Sequence, residues 1–293
     1  MRLLLAFTIL VSVACRGNSV DPGELRVAVK RIAHLERLVD QLEVERLRDA
    51  CQVADLLMRE NAMQRMDLAG KMAKVKQLGQ LLAVVNTSRR VKQAHHRTAG
   101  DIGARLIANV KGGAAPAFLF ILDRSGRVVA RVGREADRYG DVLSAPAAIS
   151  ETLHGYMRDD VWIIDEKLYR IATSPVVHRE LKGGYAGAII VGHRMDKTLA
   201  SDIAKRLRVN IGFYRLGGVF VQTARVPGVE KTIRAAVAKL SDKRNEHCLV
   251  KPTVARDGGD AYHVLTARLP GHAGAQGASY AVFGPRNRRT GKE

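Results

Sequence analysis

The chain has 293 residues, 46% hydrophobic and only 5% aromatic, which suits one large domain, or one domain plus an extended helix, with a core built from Ala, Val, Leu and Ile. Lys and Arg outnumber Asp and Glu by 48 to 29, giving a formal net charge of +19 and a pI near 10.3. So basic a chain invites a nucleic-acid reading, but the cations are spread over its whole length and no C₂H₂ spacing or RNP pattern is present; an anionic envelope surface is the expected partner, and nucleic acid is not.

The amino terminus reads as an export signal over residues 1–17. Arg2 is followed by an apolar run of 12 residues, Leu3 to Ala14, broken by Thr8 and Ser12. A membrane-spanning helix needs about 20 such residues, so the run matches the apolar region of a secretory signal peptide. Ser12-Val13-Ala14-Cys15 resembles a bacterial lipobox, which marks Cys15 as the candidate lipidation site, although Ser12 stands where Leu or Val is usual. A short uncleaved anchor is the alternative. The remaining cysteines, Cys51 and Cys248, either pair in an oxidising compartment or stay as buried thiols; two residues so far apart define no framework.

A long helix is expected over residues 24–97, a stretch with no proline and only Gly70 and Gly79. Leu25, Ile32 and Val39 recur every seven residues and alternate with Ala28, Leu35 and Leu42, an a/d seam that suits a homodimeric coiled coil. Arg46 and Asp49 interrupt it, and it is expected to resume at Val53, Leu56, Leu57, Met63 and Met66. Leu78, Leu81, Leu82 and Val85 form an apolar face for packing on the sheet downstream, and Met58, Met63, Met66 and Met72 read as core filler. His95 and His96 lack further ligands at metal spacing; no metal or cofactor is expected.

From residue 98 to 285 the pattern becomes strands and turns. Phe118 to Val132 reads as a hairpin around Asp123-Arg124-Ser125-Gly126; a helix comes next near Ala148 to Gly155, and then a second hairpin, Val161 to Val177, around Asp165-Glu166-Lys167. A strand at Tyr185 to Gly192, a helix at Asp196 to Leu207, a strand at Val219 to Gln222, a helix at Val229 to Leu240 and two closing strands at Tyr262 to Ala267 and Ser279 to Phe283 complete the order, with Gly271 to Gly277 as a flexible loop. Residues 286–293 form a basic tail.

These residues, from FILDRSGRVVARVG through ATSPVV and GYAGAIIVGHRMDKTLASDIAKRLRVNIGFY, resemble a Cache domain, clearly over residues 70 to 225 and less so to 285. The resemblance implies an α+β fold, a long N-terminal helix packed on a PAS/Cache-like antiparallel β-sheet with flanking helices, serving as an extracytoplasmic small-molecule sensor. No kinase, cyclase or chemotaxis module is encoded after it in this sequence, so signalling through a separate partner is expected.

No P-loop, G-x-S-x-G, H-E-x-x-H or paired-Cys motif is present, and His178 and His193 at strand ends read as surface or capping residues; the expectation is a binding protein, not an enzyme. The central hairpin supplies the candidate ligand residues: Trp162, Tyr169 and Arg170, an aromatic wall with one guanidinium that suits a small anionic metabolite. Strand alternation puts Tyr169 and Arg170 on opposite faces, and core packing is the competing role for the two aromatics. The alternative function is a structural coiled-coil envelope protein with a globular spacer.

Overall fold

The structure, a computed structural model, describes residues 22–110, 115–178, 184–215, 217–240, 248 and 252–286. The expected export signal with Cys15 and tail residues 287–293 lie outside the described residues. Helix α1 runs Pro22–Ala73, about 78 Å at 1.5 Å per residue. The helix expected over 24–97 is in fact three helices: α1, α2 (Lys76–Asn86) and α3 (Gln93–Ala108). The first break falls at Val75, which takes an extended conformation (φ −66°, ψ 117°) with neither proline nor glycine to announce it. The turn lets Ala69, Met72 and Ala73 before it and Leu78, Leu82 and Val85 after it enter one core.

Two five-stranded antiparallel sheets come after these helices, where a single sheet was expected. The first comprises β1 (Phe118–Asp123), β2 (Val128–Val132), β3 (Arg158–Ile164), β4 (Lys167–Val177) and β5 (Tyr185–Arg194), with α4 (Ala147–Leu153) between β2 and β3. After α5 (Lys197–Leu207) the second comprises β6 (Asn210–Arg215), β7 (Gly218–Gln222), β8 (Thr253–Asp257), β9 (Asp260–Arg268) and β10 (Ser279–Arg286), with α6 (Pro227–Lys239) between β7 and β8. Their orders are β2-β1-β5-β4-β3 and β7-β6-β10-β9-β8, the same PAS-like plan twice. Residues 271–277 are not a plain loop: Gly271–Ala275 forms the short helix α7.

Each sheet is covered on both faces, which is why its strands carry near-continuous apolar runs rather than clean alternation. On the first sheet, Leu119, Ile121, Ile189 and Val191 pack under α1, α2 and α3, while Phe120, Leu122 and Ile190 pack with Ile149 of α4. On the second, Phe213 and Val282 meet α1, whereas Tyr214 and Phe283 meet Val229, Ile233 and Val237 of α6. The turn after β1 is built by Asp123, fully buried, whose Oδ1 accepts from the Ser125 and Arg127 amides and whose Oδ2 pairs with Arg127 Nε at 2.6 Å. Pro175 is tolerated in β4 because it lies beyond the end of the β3 partner, whose pairing stops at Thr173.

Helix α1 changes role along its length. Every residue from Pro22 to Val39 is exposed, including Leu25, Ile32, Leu35 and, further on, Leu42 at 63%. From Leu47 the helix is inserted into the body through Leu47, Cys51, Ala54 and Met58, spaced as one helical face. The resumed seam expected at Val53, Leu56 and Met63 is instead exposed, because the face that meets the second sheet starts from Leu47 and Cys51. Cys51 pairs with Cys248, Cα–Cα 5.8 Å, a normal disulfide span. Nearer its start the helix is tied to the second sheet by Asp40: Arg286 Nε and Nη2 donate to its two oxygens at 2.7 and 2.9 Å, and His263 Nε2 donates to Oδ1 at 2.9 Å.

Burial pushes the Asp40 carboxyl up, but the hydrogen bonds from Arg286 and His263 outweigh it and hold Asp40 below its ordinary 3.8. Asp141 is likewise held below 3.8, chiefly by the bidentate donation of Arg131. Both carboxylates resist protonation more in the folded chain than in the unfolded one, so the unfolded chain binds more protons in acid. Their stabilisation is complete at neutral pH and is lost as the pH falls below about 4, through their folded values. Melting temperature is therefore expected to fall between pH 5 and pH 3, and Asp141→Asn to reduce that fall; an unchanged profile in this variant would contradict the assignment.

Candidate functional site

The β3–β4 hairpin carries the three candidate residues, and its pleat separates them. Trp162 pairs across the ladder with Tyr169, and Val161 with Arg170; the first pair faces α4 and the second faces α1.

On the α4 face the aromatic residues are packed. Trp162 and Tyr169 are 7% and 6% exposed, and the Phe118 ring stands edge-on to Tyr169 with centroids 5.2 Å apart and stacks on Phe120 at 4.6 Å. Gly192 leaves the space that the Phe118 ring occupies; a Cβ there would strike the ring. The Trp162 indole N–H donates to Asp160 Oδ2 at 2.8 Å. Asp160 Oδ1 accepts from the amides of Val161 and His272, each at 2.7 Å, so this carboxylate fastens the first sheet to α7 in the second half of the chain. Gly271 is required there, since a Cβ would run into Asp160 Oδ1.

On the opposite face lies a cavity of about 180 Å³ at the meeting point of α1, the first sheet and the approach to the second. Helix α1 contributes Met58, Arg59 and Arg65; β3 contributes Asp159 and Val161; Arg170, Met195 and Pro270 complete it. Arg65, whose side chain is 6% exposed, donates through Nε and Nη2 to Asp159 Oδ1 at 3.0 and 2.6 Å. Its Nη1, and the Nε and Nη1 of Arg170, are buried without a hydrogen-bond partner; each such donor costs about 1–3 kcal/mol when left unmet. Burial holds the Asp159 carboxyl above 3.8 despite Arg65. Burial, then the positive charge of Arg65, pulls the Arg170 guanidinium down to about 10, so it stays charged at neutral pH. Arg59 is committed elsewhere, its Nε 2.9 Å from Asp55 Oδ2.

Arg65, Asp159 and Asp160 were not singled out from the sequence. The adjacent acidic pair ahead of an apolar strand was the available signal; Arg65 lies 94 residues from its partner and left none. Asp40, Glu43 and His263 bring donor atoms within 4.8 Å of one another, but Arg286 already occupies both Asp40 oxygens, so the group serves as an ion-paired tie. His95 and His96 do not form a joint site: His96 stacks on Tyr139 with centroids 4.2 Å apart and its Nδ1 lies 3.1 Å from the Val129 carbonyl.

No family model and no curated protein matches the chain. Among solved structures it is similar to the sensor domain of the histidine kinase DctB from Vibrio cholerae, at 14% identity and a TM-score of 0.49, over 86% of this chain and 98% of that one. It is also similar to the ligand-binding domain of the Campylobacter jejuni chemoreceptor Tlp3 in complex with 4-methylisoleucine (9%, TM-score 0.47, 88% and 96%). A third is the ligand-binding domain of the Pseudomonas aeruginosa amino-acid chemoreceptor PctC in complex with GABA (11%, TM-score 0.45, 83% and 99%). The α+β architecture of this chain is two antiparallel sheets of one strand order packed on one long helix.

Proposed function

We propose that this chain is an exported Cache-like sensory module that binds a small extracytoplasmic molecule and signals through a separate protein. It acts by binding rather than by catalysis. The observation that carries the reading is the pair of sheets with identical strand order, both gripping one helix, with a charged cavity between that helix and the first sheet. Its ligand is contacted at the β3–β4 hairpin, either by Arg170 on one face or by Trp162 and Tyr169 on the other, since the pleat keeps them apart. Residues 24–97 act as the helical support, residues 98–285 as the sensor, and the amino terminus, through residues 1–17 and Cys15, as the attachment to the envelope. Among the described residues no helix is long and apolar enough to cross a membrane. The uncovered strip Leu25, Ile32, Leu35 and Leu42 suits a second copy of the same helix, and the basic chain suits an anionic membrane surface.

Thermal-shift screening of the purified protein against amino acids, organic acids and purines tests the reading. A ligand at 100 times its Kd stabilises by about 2.7 kcal/mol, a rise on the order of 5 °C for a chain this size. No stabilisation by any compound, with a helix-mediated dimer retained in sedimentation, would favour the second reading, a structural coiled-coil protein with a globular spacer; the same uncovered strip supports it.

A further inference from the structure

We propose that the end of the first sheet crossed by α2 is a docking surface for an anionic lipid bilayer. This deepens the anionic-surface part of the proposed function and rests on that part alone, not on small-molecule sensing. Asp123 of β1, Val177 of β4 and Tyr185 of β5 fall together at one end of the ladder, and β5 leads from there towards α5 and the second sheet. Gly79 of α2 lies against the Val177 carbonyl. At the other end of α2, Asn86 Nδ2 donates to the Ala186 carbonyl at 2.8 Å and its Oδ1 accepts from the Arg124 amide at 3.0 Å. Arg127 then holds the loop after α2 against the turn after β1, donating through Nη1 and Nη2 to the Arg89 and Ser88 carbonyls.

The charge of this end has one sign. Between Asp67 and Asp101 the sequence has no Asp or Glu and seven Lys or Arg. Lys71 pairs with Asp67 at 2.6 Å. Lys74, Lys76, Arg89, Arg90 and Lys92, together with Arg124 on the adjoining turn, are exposed, and among the described residues none of them has an ion-pair partner. The hydrogen bonds of Asn86 and Arg127 gather Arg89, Arg90 and Arg124 at one corner, while Lys74 and Lys76 stand at the start of α2.

Cations alone suit any polyanion; the apolar side chains among them decide for a bilayer. Val84 on α2 and Val177 are 55% and 52% exposed, and Tyr156 and Met157 just ahead of β3 are 58% and 37% exposed, with Met157 beside Gly70 near the end of α1. Such residues enter the boundary between headgroups and acyl chains, where tyrosine is favoured, while Lys and Arg meet the lipid phosphates. This surface adjoins the Ala73 end of α1, and Pro22 is about 78 Å away along the helix. Contacts of residues 1–17 and of this surface with one bilayer therefore lay α1 along it.

The test is co-sedimentation of the whole purified chain with vesicles of phosphatidylglycerol and phosphatidylcholine in equal parts, against vesicles of phosphatidylcholine alone. Residues 3–14 are apolar and favour both kinds alike, so the difference between them is the quantity read. Arg89→Glu/Arg90→Glu is expected to weaken binding to the anionic vesicles by on the order of tenfold or more. Arg225→Glu/Lys231→Glu, the same charge change at exposed positions beside the second sheet, leaves it within about twofold, as its charges lie beyond a Debye length from the bilayer. In protein carrying only Tyr156→Trp, acyl-brominated anionic vesicles quench the introduced indole but not the buried Trp162, a readout independent of how the charge variants fold. An unquenched indole, displacement by sodium phosphate beyond that by sodium chloride at matched ionic strength, or tighter binding of duplex DNA than of the vesicles each overturns the proposal. Equal loss in the two charge variants leaves the anionic-surface reading standing and sinks this one; no preference for anionic vesicles sinks both.

Discussion

Removing the Cys51–Cys248 bond by a Cys51→Ala/Cys248→Ala substitution is expected to cost about 4 kcal/mol of unfolding free energy, the largest single effect in the molecule. The two cysteines are 197 residues apart, so the closed loop contains the whole first sheet. In the chain-entropy account, a loop of that length restricts the unfolded ensemble by on the order of 5 kcal/mol, and measured values usually fall somewhat short of that. Both residues are fully buried, and they sit where Leu47, Ala54 and Met58 of α1 meet Phe213, Tyr280 and Val282 of the second sheet. Tyr280 lies with its hydroxyl 3.3 Å from Cys248 Sγ, and its burial pushes that phenol above its ordinary value. Equilibrium denaturation of the oxidised protein beside the double variant checks the figure: a difference below about 1 kcal/mol would sink it. A buried disulfide is also the chemistry of an oxidising compartment, which agrees with the export reading.

The second large effect belongs to Asp160. Replacing it with Ala is expected to cost about 3 kcal/mol, because the amide of Val161 and the indole N–H of Trp162, both in buried residues, lose their acceptor together, and each buried donor left unmet costs about 1–3 kcal/mol. The His272 amide, at an exposed residue, can turn to water and adds little itself. Its loss nevertheless frees α7 from the first sheet. Asp160→Asn separates the contributions: its one amide oxygen can still serve Val161 and His272, while its NH₂ confronts the indole donor. A cost of about half the alanine value is expected for Asn by the same denaturation assay. Equal costs for the two variants would mean that negative charge, not the acceptor geometry, is what matters.

Much of the architecture was legible because it is written in local patterns. The Asp123-Arg124-Ser125-Gly126 turn, the Asp165-Glu166 hairpin and the alternation that sends Tyr169 and Arg170 to opposite faces all stem from residues a few positions apart. The second sheet was less legible. Its strand β8, Thr253–Asp257, buries only Ala255 well and shows four of five residues partly or largely to solvent, so no apolar run marks it. Gly271–Ala275 looked like a loop because its helical turn is stabilised from outside, by Asp160 more than a hundred positions earlier. The candidate site divided in the same way. Arg170 was identifiable from its hairpin, but Arg65, which completes the cavity, belongs to a helix face whose orientation depends on which side of α1 the two sheets grip. The seam expected at Val53, Leu56 and Met63 failed for that reason: heptad spacing tells that a helix has an apolar stripe, and only tertiary packing tells which stripe is used.

The uncovered start of α1 has a mechanical meaning. From Leu47, where its buried face begins, to Pro22 the helix extends 25 residues, about 37 Å at 1.5 Å per residue. A straight rod of that length is a lever. A tilt of about 5° at its point of insertion moves its free end by roughly 3 Å, by the same helix geometry. Asp40, with its ties to Arg286 and His263, sits partway along this arm and acts as its stop, so the travel available at Pro22 is governed by how tightly that one carboxylate is held.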